Sequence, residues 1–157
     1  MKKVLSIILC MNLFIIYTLP VSAAEVMPRE NVIEKEEISA TSGSNYFSRT
    51  LPRLNSINGA TSSVATISSG SISGSDKVVT SIKLFIRIAS GSDPFIIYIQ
   101  APDGTIYSFV VTTGGTITID NLNGCDPTGS WKIWIETQGT VSTASITMTV
   151  NYSYNYS

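Results

Sequence analysis

The sequence predicts an all-β domain, an antiparallel sandwich or barrel of about eight strands. From about Ile57 onward, Ser, Thr and β-branched residues dominate, and glycines separate the apolar segments. Several of these segments alternate between apolar and polar residues with a period of two, and none has the period of a helix of useful length. Short strands with turn residues at this spacing are typical of sandwiches and barrels.

The N-terminus has the features of a secretory signal peptide. Two lysines precede the almost wholly apolar stretch Val4–Leu19, Pro20 interrupts it, and small residues follow up to Ala23. The stretch is shorter than the roughly 20 residues of a membrane-spanning helix, and no positively charged flank follows it. We therefore predict that residues 1–23 are a signal peptide cleaved between Ala23 and Ala24. The protein is then secreted, with no stable membrane insertion after cleavage; an uncleaved anchor is the alternative.

Residues 24–56 differ in composition from the rest of the mature chain. Charge is concentrated in Glu30–Glu37, and Ser39–Ser44 is small and polar. Because apolar periodicity is weak, we predict a flexible N-terminal segment, either a linker or a pro-region. A short helix over Glu30–Ile38 is the alternative, but it would be marginal in isolation. The sandwich domain is accordingly assigned to residues 57–157.

Seven segments of this domain have the composition of strands. They are Ser63–Ser69, Val78–Ala89, Phe95–Ala101, Thr105–Thr112, Thr116–Asn121, Trp131–Thr137 and Val141–Tyr154. Turn residues separate several of them. The sequence Pro102-Asp103-Gly104 predicts a tight turn in which glycine takes a positive φ, and Gly114-Gly115 predicts another.

Two segments show which side chains are buried. In one, Ile82, Leu84, Ile86 and Ile88 alternate with Lys83, Phe85 and Arg87. In the other, Trp131, Ile133 and Ile135 alternate with Lys132, Trp134 and Glu136. Since successive side chains of a strand point to opposite faces, the first set of each segment is predicted to be buried and the second to face outward.

Charge, cysteine and histidine content exclude several functions. After removal of the signal peptide, eight Lys and Arg remain against eleven Asp and Glu, a net charge of about −3, so nucleic acid is not an expected partner. Cys125 then stands alone, which leaves intermolecular pairing, a free thiol or an inert loop cysteine. The chain has no histidine, so a Cys or Ser nucleophile lacks its usual base and Cys/His metal sites are excluded. We predict no catalytic residues.

The acidic residues are scattered through loops and strands. They are Asp76, Asp93, Asp103, Asp120, Asp126 and Glu136. Solvation of turns and edges accounts for such residues in most β domains. We expect no resident cofactor, but calcium stays open as a ligand, because it binds carboxylate and carbonyl oxygens in loops. The hypothesis is that Asp93 converges at one edge with Asp120 or Asp126.

Two aromatic residues are candidates for binding. Trp134 and Phe85 both fall on the predicted outward phase of their strands. Exposed aromatic side chains on a sheet stack on sugar rings or pack against partner proteins. The alternative is that this second face is covered by the N-terminal segment, another strand or the other sheet.

The order of motifs resembles a known family. An apolar strand is followed by a loop ending in Ser92-Asp93, then by Ala101-Pro102-Asp103-Gly104-Thr105, and later by Gly129-Ser130-Trp131. This order resembles the P-domain that follows the catalytic domain of proprotein convertases and many bacterial subtilisin-like proteases. The resemblance covers roughly residues 69–154 and implies a jelly-roll-like β-sandwich. Bacterial pre-peptidase C-terminal domains have similar signatures and are the rival.

The sequence departs from the P-domain pattern in one motif. The family usually has a histidine shortly before the loop aspartate, where this chain has Ile88-Ala89-Ser90. The resemblance therefore implies the fold rather than the stabilisation of an attached protease. We expect a secreted, non-catalytic domain that binds or stabilises an extracellular protein or a cell-surface polymer. The alternatives are a carbohydrate- or cell-wall-binding module and an antimicrobial or toxin-like effector; a small secreted hydrolase is the least favoured.

Overall fold

The protein folds as an antiparallel β-sandwich, as the sequence predicts. The computed structural model describes residues 42–156, and within this range all regular structure is strand, in nine segments and two sheets. No helix among the described residues is long and apolar enough to cross a membrane. The predicted signal peptide, its cleavage site at Ala23 and Ala24, and residues 24–41 of the predicted flexible segment lie outside the described residues.

The strands follow one another along the chain with short connections. They are β1 (Ser42–Thr50), β2 (Leu54–Ile57), β3 (Ala65–Ser68), β4 (Ser75–Ser90), β5 (Phe95–Gln100), β6 (Ile106–Val111), β7 (Gly115–Ile119), β8 (Ser130–Thr137) and β9 (Val141–Asn155). The last seven correspond to the seven predicted segments. Their ends differ from the predicted ones by a few residues, mainly in β3 and β4.

The order of the strands in the two sheets is that of a jelly roll. The first sheet runs β1-β9-β4-β7, with β2 also paired to β9, and the second runs β3-β8-β5-β6. All pairs are antiparallel. When β1 and β2 are taken as one interrupted strand, eight positions remain, as in a jelly roll. This confirms the predicted fold class.

The long strand β9 is the centre of the first sheet. It pairs with β1 and β2 on one side and with β4 on the other. Its inward residues Ala144, Ile146, Met148 and Val150 are at most 1% exposed. Because the same register runs through all its neighbours, this strand aligns the inward side chains of the whole sheet.

The second sheet supplies the other half of the core. Trp131, Ile133 and Ile135 are fully buried, as the alternation predicts, and the indole N–H of Trp131 donates to the carbonyl of Pro127 at 3.1 Å. Ile88 differs from the prediction, since it is 36% exposed. The pairing of β7 with β4 stops at Ile86, so Ile88 has a neighbouring strand on one side only.

The predicted extent of the flexible segment is wrong for residues 42–56. β1 pairs with β9 along its whole length, and β2 continues along the same edge of β9. Leu51 and Leu54 are 5% and 1% exposed and belong to the core. The sandwich therefore includes residues whose composition is that of a linker. Main-chain hydrogen bonds to a distant strand, which local composition does not show, hold this segment in place.

We expect Leu54→Ala to lower the free energy of unfolding by about 2–5 kcal/mol, because it leaves a cavity in the core. Ile57→Ala is the matched control in the same strand. Ile57 is 50% exposed, so its loss is expected to cost less than about 0.5 kcal/mol. Urea unfolding of both variants measures the difference. Equal, small effects would mean that residues 42–57 do not pack on the sandwich.

Candidate binding face

The outward side of the second sheet carries a continuous set of aromatic and aliphatic side chains. The alternation that buries the inward residues of β5, β6 and β8 turns their other residues to solvent. We call this set the aromatic face, and its members are Ile96, Tyr98, Gln100, Ile106, Ser108, Val110, Lys132, Trp134 and Glu136. Their cross-strand register places Tyr98 between Ser108 and Trp134.

Tyr98 and Trp134 form the middle of the aromatic face. Their rings are parallel, with centroids 5.3 Å apart and planes 5° from each other. The hydroxyl of Tyr98 donates to Oε2 of Glu136 at 3.0 Å. An offset stack of this kind contributes about 0.5–1.5 kcal/mol beyond the area that it buries. The stack and the hydrogen bond together fix both rings against the sheet.

The hydrogen bond to Glu136 also affects ionisation. It raises the pKa of Tyr98 above the ordinary value of tyrosine, with loss of solvation and the charge of Glu136 acting in the same direction. Removing the phenol proton would place a second negative charge beside the carboxylate. Tyr98 therefore stays a hydrogen-bond donor throughout the neutral pH range.

Aliphatic side chains extend the aromatic face to the edge of the sheet. Ile106 and Val110 of β6 are 54% and 52% exposed, and Val110 lies directly opposite the half-buried Ile96. β6 is an edge strand and contains no charged residue. Edge strands are usually protected by charges or proline, so an apolar edge of this kind is suited to contact with another molecule.

A polar cleft adjoins the aromatic face at the end where Gln100 lies opposite Lys132. The cleft has a volume of about 390 Å³ and is lined by Gln100, Ala101, Pro102, Gly104, Thr128, Gly129, Ser130 and Lys132. Its amide, ammonium and hydroxyl groups can donate hydrogen bonds to a ligand. The cleft therefore adds directional contacts at one end of an otherwise apolar surface.

Two turns form the walls of this cleft, and each is held by an aspartate. Asp103 Oδ1 accepts from the amide of Thr105 at 2.8 Å, and Asp126 Oδ1 accepts from the amide of Thr128 at 2.8 Å. These amide hydrogen bonds lower the pKa of both carboxyl groups. Gly129 has a φ of +126°, and a Cβ there would lie 2.9 Å from Cβ of Pro102, so the two turns pack closely only with glycine at this position.

Cys125 lies behind the same turns. Its side chain is partly buried against the core, and burial, followed by the nearby carboxylate of Asp103, raises the pKa of its thiol. A thiol with a raised pKa is protonated at neutral pH and is a poor nucleophile. The structure thus favours the inert loop cysteine among the predicted alternatives.

The two aromatic residues that the sequence indicates as binding candidates lie on opposite sides of the sandwich. Trp134 is half-buried in the aromatic face, whereas Phe85 is 49% exposed on the outward side of the first sheet, next to Thr116 and Thr147. Both face outward as predicted, but one ligand cannot contact them together. Tyr98, which completes the site, escapes prediction, because β5 reads as an unbroken apolar run in which no outward phase is visible.

The predicted convergence of the aspartates is wrong. Asp93 Oδ2 accepts from the amides of Thr140 and Val141 at 2.8 and 3.4 Å, which places it at the end of the sandwich where β8 connects to β9. Asp120 and Asp126 lie in the connection from β7 to β8, at the other end of β8. The length of β8 separates them, so Asp93 cannot share a calcium ion with either.

Within residues 42–156, no group of three or more His, Cys, Asp or Glu side chains is placed to hold a metal ion. Asp120 contacts the side-chain amide of Asn123 at 3.5 Å, and Asp126 is engaged by Thr128. Calcium binding by Asp120 and Asp126 with loop carbonyls stays a prediction.

Comparison with known proteins gives little further information. No family model and no curated protein matches the sequence. The structure is similar to a solved structure titled "Crystal Structure of FLHE", with 16% sequence identity and a TM-score of 0.48 over 72% of this chain and 98% of that chain. At this level of similarity the likeness carries no inference about function.

Glu136→Gln is expected to lower the pKa of Tyr98 towards the ordinary value of tyrosine. The substitution removes the charge that opposes ionisation of the phenol, while an acceptor oxygen remains in place. Carbon-13 NMR of labelled tyrosine ring carbons across an alkaline titration measures the shift. Tyr107, on the inward phase of β6, serves as the internal reference. An unchanged pKa of Tyr98 would show that the contact does not persist in solution.

Asp93→Ala is expected to destabilise the fold by about 1 kcal/mol, because two turn amides lose a charged acceptor. The loss is expected to be the same with calcium and with a chelator. Asp120→Ala, which removes only the 3.5 Å contact with Asn123 among the hydrogen bonds described, should change stability by less than about 0.5 kcal/mol. Chemical unfolding in both conditions tests this. A calcium-dependent effect of Asp93→Ala would contradict the turn-stabilising role.

Proposed function

We propose that this chain is a secreted, non-catalytic domain that binds an extracellular protein through the aromatic face. The carrying observation is the exposure of Ile106 and Val110 beside the fixed Tyr98–Trp134 pair. Aromatic residues are enriched in the centres of protein interfaces, where they supply large contact areas with little loss of side-chain freedom. A rigid aromatic centre with an aliphatic margin and a polar cleft at one end has this composition.

The aromatic face suits a protein better than a sugar. A sugar ring stacks on an aromatic face that is free, but Tyr98 and Trp134 already cover part of each other. The neighbouring Ile96, Ile106 and Val110 offer no hydrogen bonds to sugar hydroxyl groups. Methyl groups at these positions instead match the apolar side chains or the edge strand of a protein partner.

The resemblance to the P-domain supports the same class of function. In that family the sandwich acts on another protein rather than on a small substrate. The two motifs that carry the resemblance, Ala101–Thr105 and Gly129–Trp131, lie against each other here and form the cleft beside the aromatic face. A partner that covers the face would therefore also reach these motifs.

The test is retention of a partner by the immobilised protein from the culture medium and the cell envelope of the producing organism. We expect Ile106→Lys and Val110→Lys each to weaken retention about tenfold or more, because each places an unpaired charge in the contact. Phe85→Ala, at an exposed aromatic residue on the opposite sheet, is the matched control and should leave retention unchanged. Unfolding curves confirm that all variants remain folded.

Two results would contradict the proposal. One is the absence of a retained protein, and the other is retention that neither lysine variant changes. Binding to purified cell-wall polysaccharide that Trp134→Ala abolishes would instead favour the carbohydrate-binding alternative. Protease treatment of the captured fraction distinguishes the two, since it releases a protein partner and leaves a polysaccharide bound.

A further inference from the structure

A second cleft lies on the outward side of the first sheet, across the sandwich from the aromatic face. It has a volume of about 460 Å³ and is lined by Arg53, Arg87, Ile88, Ala89 and Ser145. We call it the arginine cleft. Both arginines are exposed, and Ser145 is half-buried between them. None of these residues contributes to the aromatic face.

A β-bulge brings Arg53 into this position. The amide of Leu51 donates to the carbonyl of Ile146 at 2.8 Å, and Leu54 lies opposite Ala144. Pro52 and Arg53 together therefore oppose the single residue Ser145, which is the two-against-one arrangement of a bulge. Proline fits there because its missing N–H removes no ladder hydrogen bond that a regular strand would need. The interruption between β1 and β2 thus places a cationic side chain over the sheet.

The other side of the cleft follows from the register of β4. Arg87 lies directly opposite Ser145 on the outward phase, so Arg53, Ser145 and Arg87 share one row across three neighbouring chain segments. Adjacent strands are about 4.8 Å apart, which separates the two arginine Cα atoms by about 10 Å. Arginine side chains are long enough for both guanidinium groups to approach one ligand above the small Ser145.

The charges in this region favour an anion. Residues 42–156 contain six acidic side chains, and none is among the outward residues of the first sheet near the cleft. Asp76, the acidic residue within β4, lies at the far end of that strand and contacts Asn155. Lys83 lies four residues from Arg87 on the same phase and adds a third positive charge. An anion between the arginines would offset their mutual repulsion.

We propose that the arginine cleft binds a phosphate group. Each guanidinium presents a planar set of N–H donors that matches two oxygens of an oxyanion, and the hydroxyl of Ser145 supplies a further donor. Donors on opposite sides of the site suit a tetrahedral anion, whose oxygens point in several directions, better than a planar carboxylate. The phosphate can be free in solution or belong to a lipid headgroup, and both sources present the same oxygens to the cleft.

The test is titration of the secreted protein with inorganic phosphate at low ionic strength, followed by amide NMR shifts. We expect shifts at Ser145 and its neighbours, and an affinity that falls about tenfold in Arg53→Gln and in Arg87→Gln. Lys132→Gln, on the aromatic face, changes the net charge equally and should leave the affinity unchanged. Sodium chloride at matched ionic strength controls for general screening.

Sedimentation with lipid vesicles identifies the source of the phosphate. Binding to phosphatidylglycerol vesicles, but not to neutral phosphatidylcholine vesicles, with loss in Arg87→Gln, would assign the cleft to a lipid headgroup. Phosphate shifts without vesicle binding would assign it to a soluble phosphate. The absence of both, or an equal loss in Lys132→Gln, would overturn the proposal. None of these outcomes depends on Ile106 or Val110, so the proposed protein interface is tested separately.

Discussion

The alternation of side chains along paired strands is the constraint on which both the core and the outer faces depend. Successive residues of a strand point to opposite sides, so the register that buries Ile133 and Ile135 also turns Trp134 outward beside Tyr98. In the first sheet the register that buries Ile86 turns Arg87 outward beside Ser145. A shift of one residue would exchange core and surface along the whole strand. The two candidate binding surfaces are therefore fixed by the same packing that stabilises the domain, and no disulfide among residues 42–156 assists it.

The sequence predicts the strands whose pattern is visible within a single segment. β4 and β8 alternate clearly, and the structure buries their predicted sets except at Ile88. β1 has no such pattern, because most of its residues are small or polar and exposed, and its position depends on main-chain pairing with residues about a hundred positions later. Local composition contains no information about that partner. A flexible segment is therefore what the sequence alone indicates up to residue 56.

The candidate sites are less predictable than the fold, because they are formed between strands. Tyr98 and Trp134 meet only through the pairing of β5 with β8, and the apolar run of β5 hides which of its residues face outward. Arg53 and Arg87 approach each other through β9, which neither residue's own segment reveals. The aspartates show the opposite case. Composition places Asp93 and Asp126 in loops without showing at which end of the sandwich each loop lies, and the full length of β8 separates them.

The position of β9 also determines when the domain can form during synthesis. It is the last strand of the described chain, yet it lies in the middle of the first sheet, with Ser42 and Ser75 both paired to Asn155 near its end. Until these final residues leave the ribosome, β1, β2 and β4 have no common partner, and the first sheet cannot close. Sheets built from such distant segments fold slowly. If the N-terminus directs export as we predict, this delay keeps the chain extended for the period in which a translocation channel has to accept it.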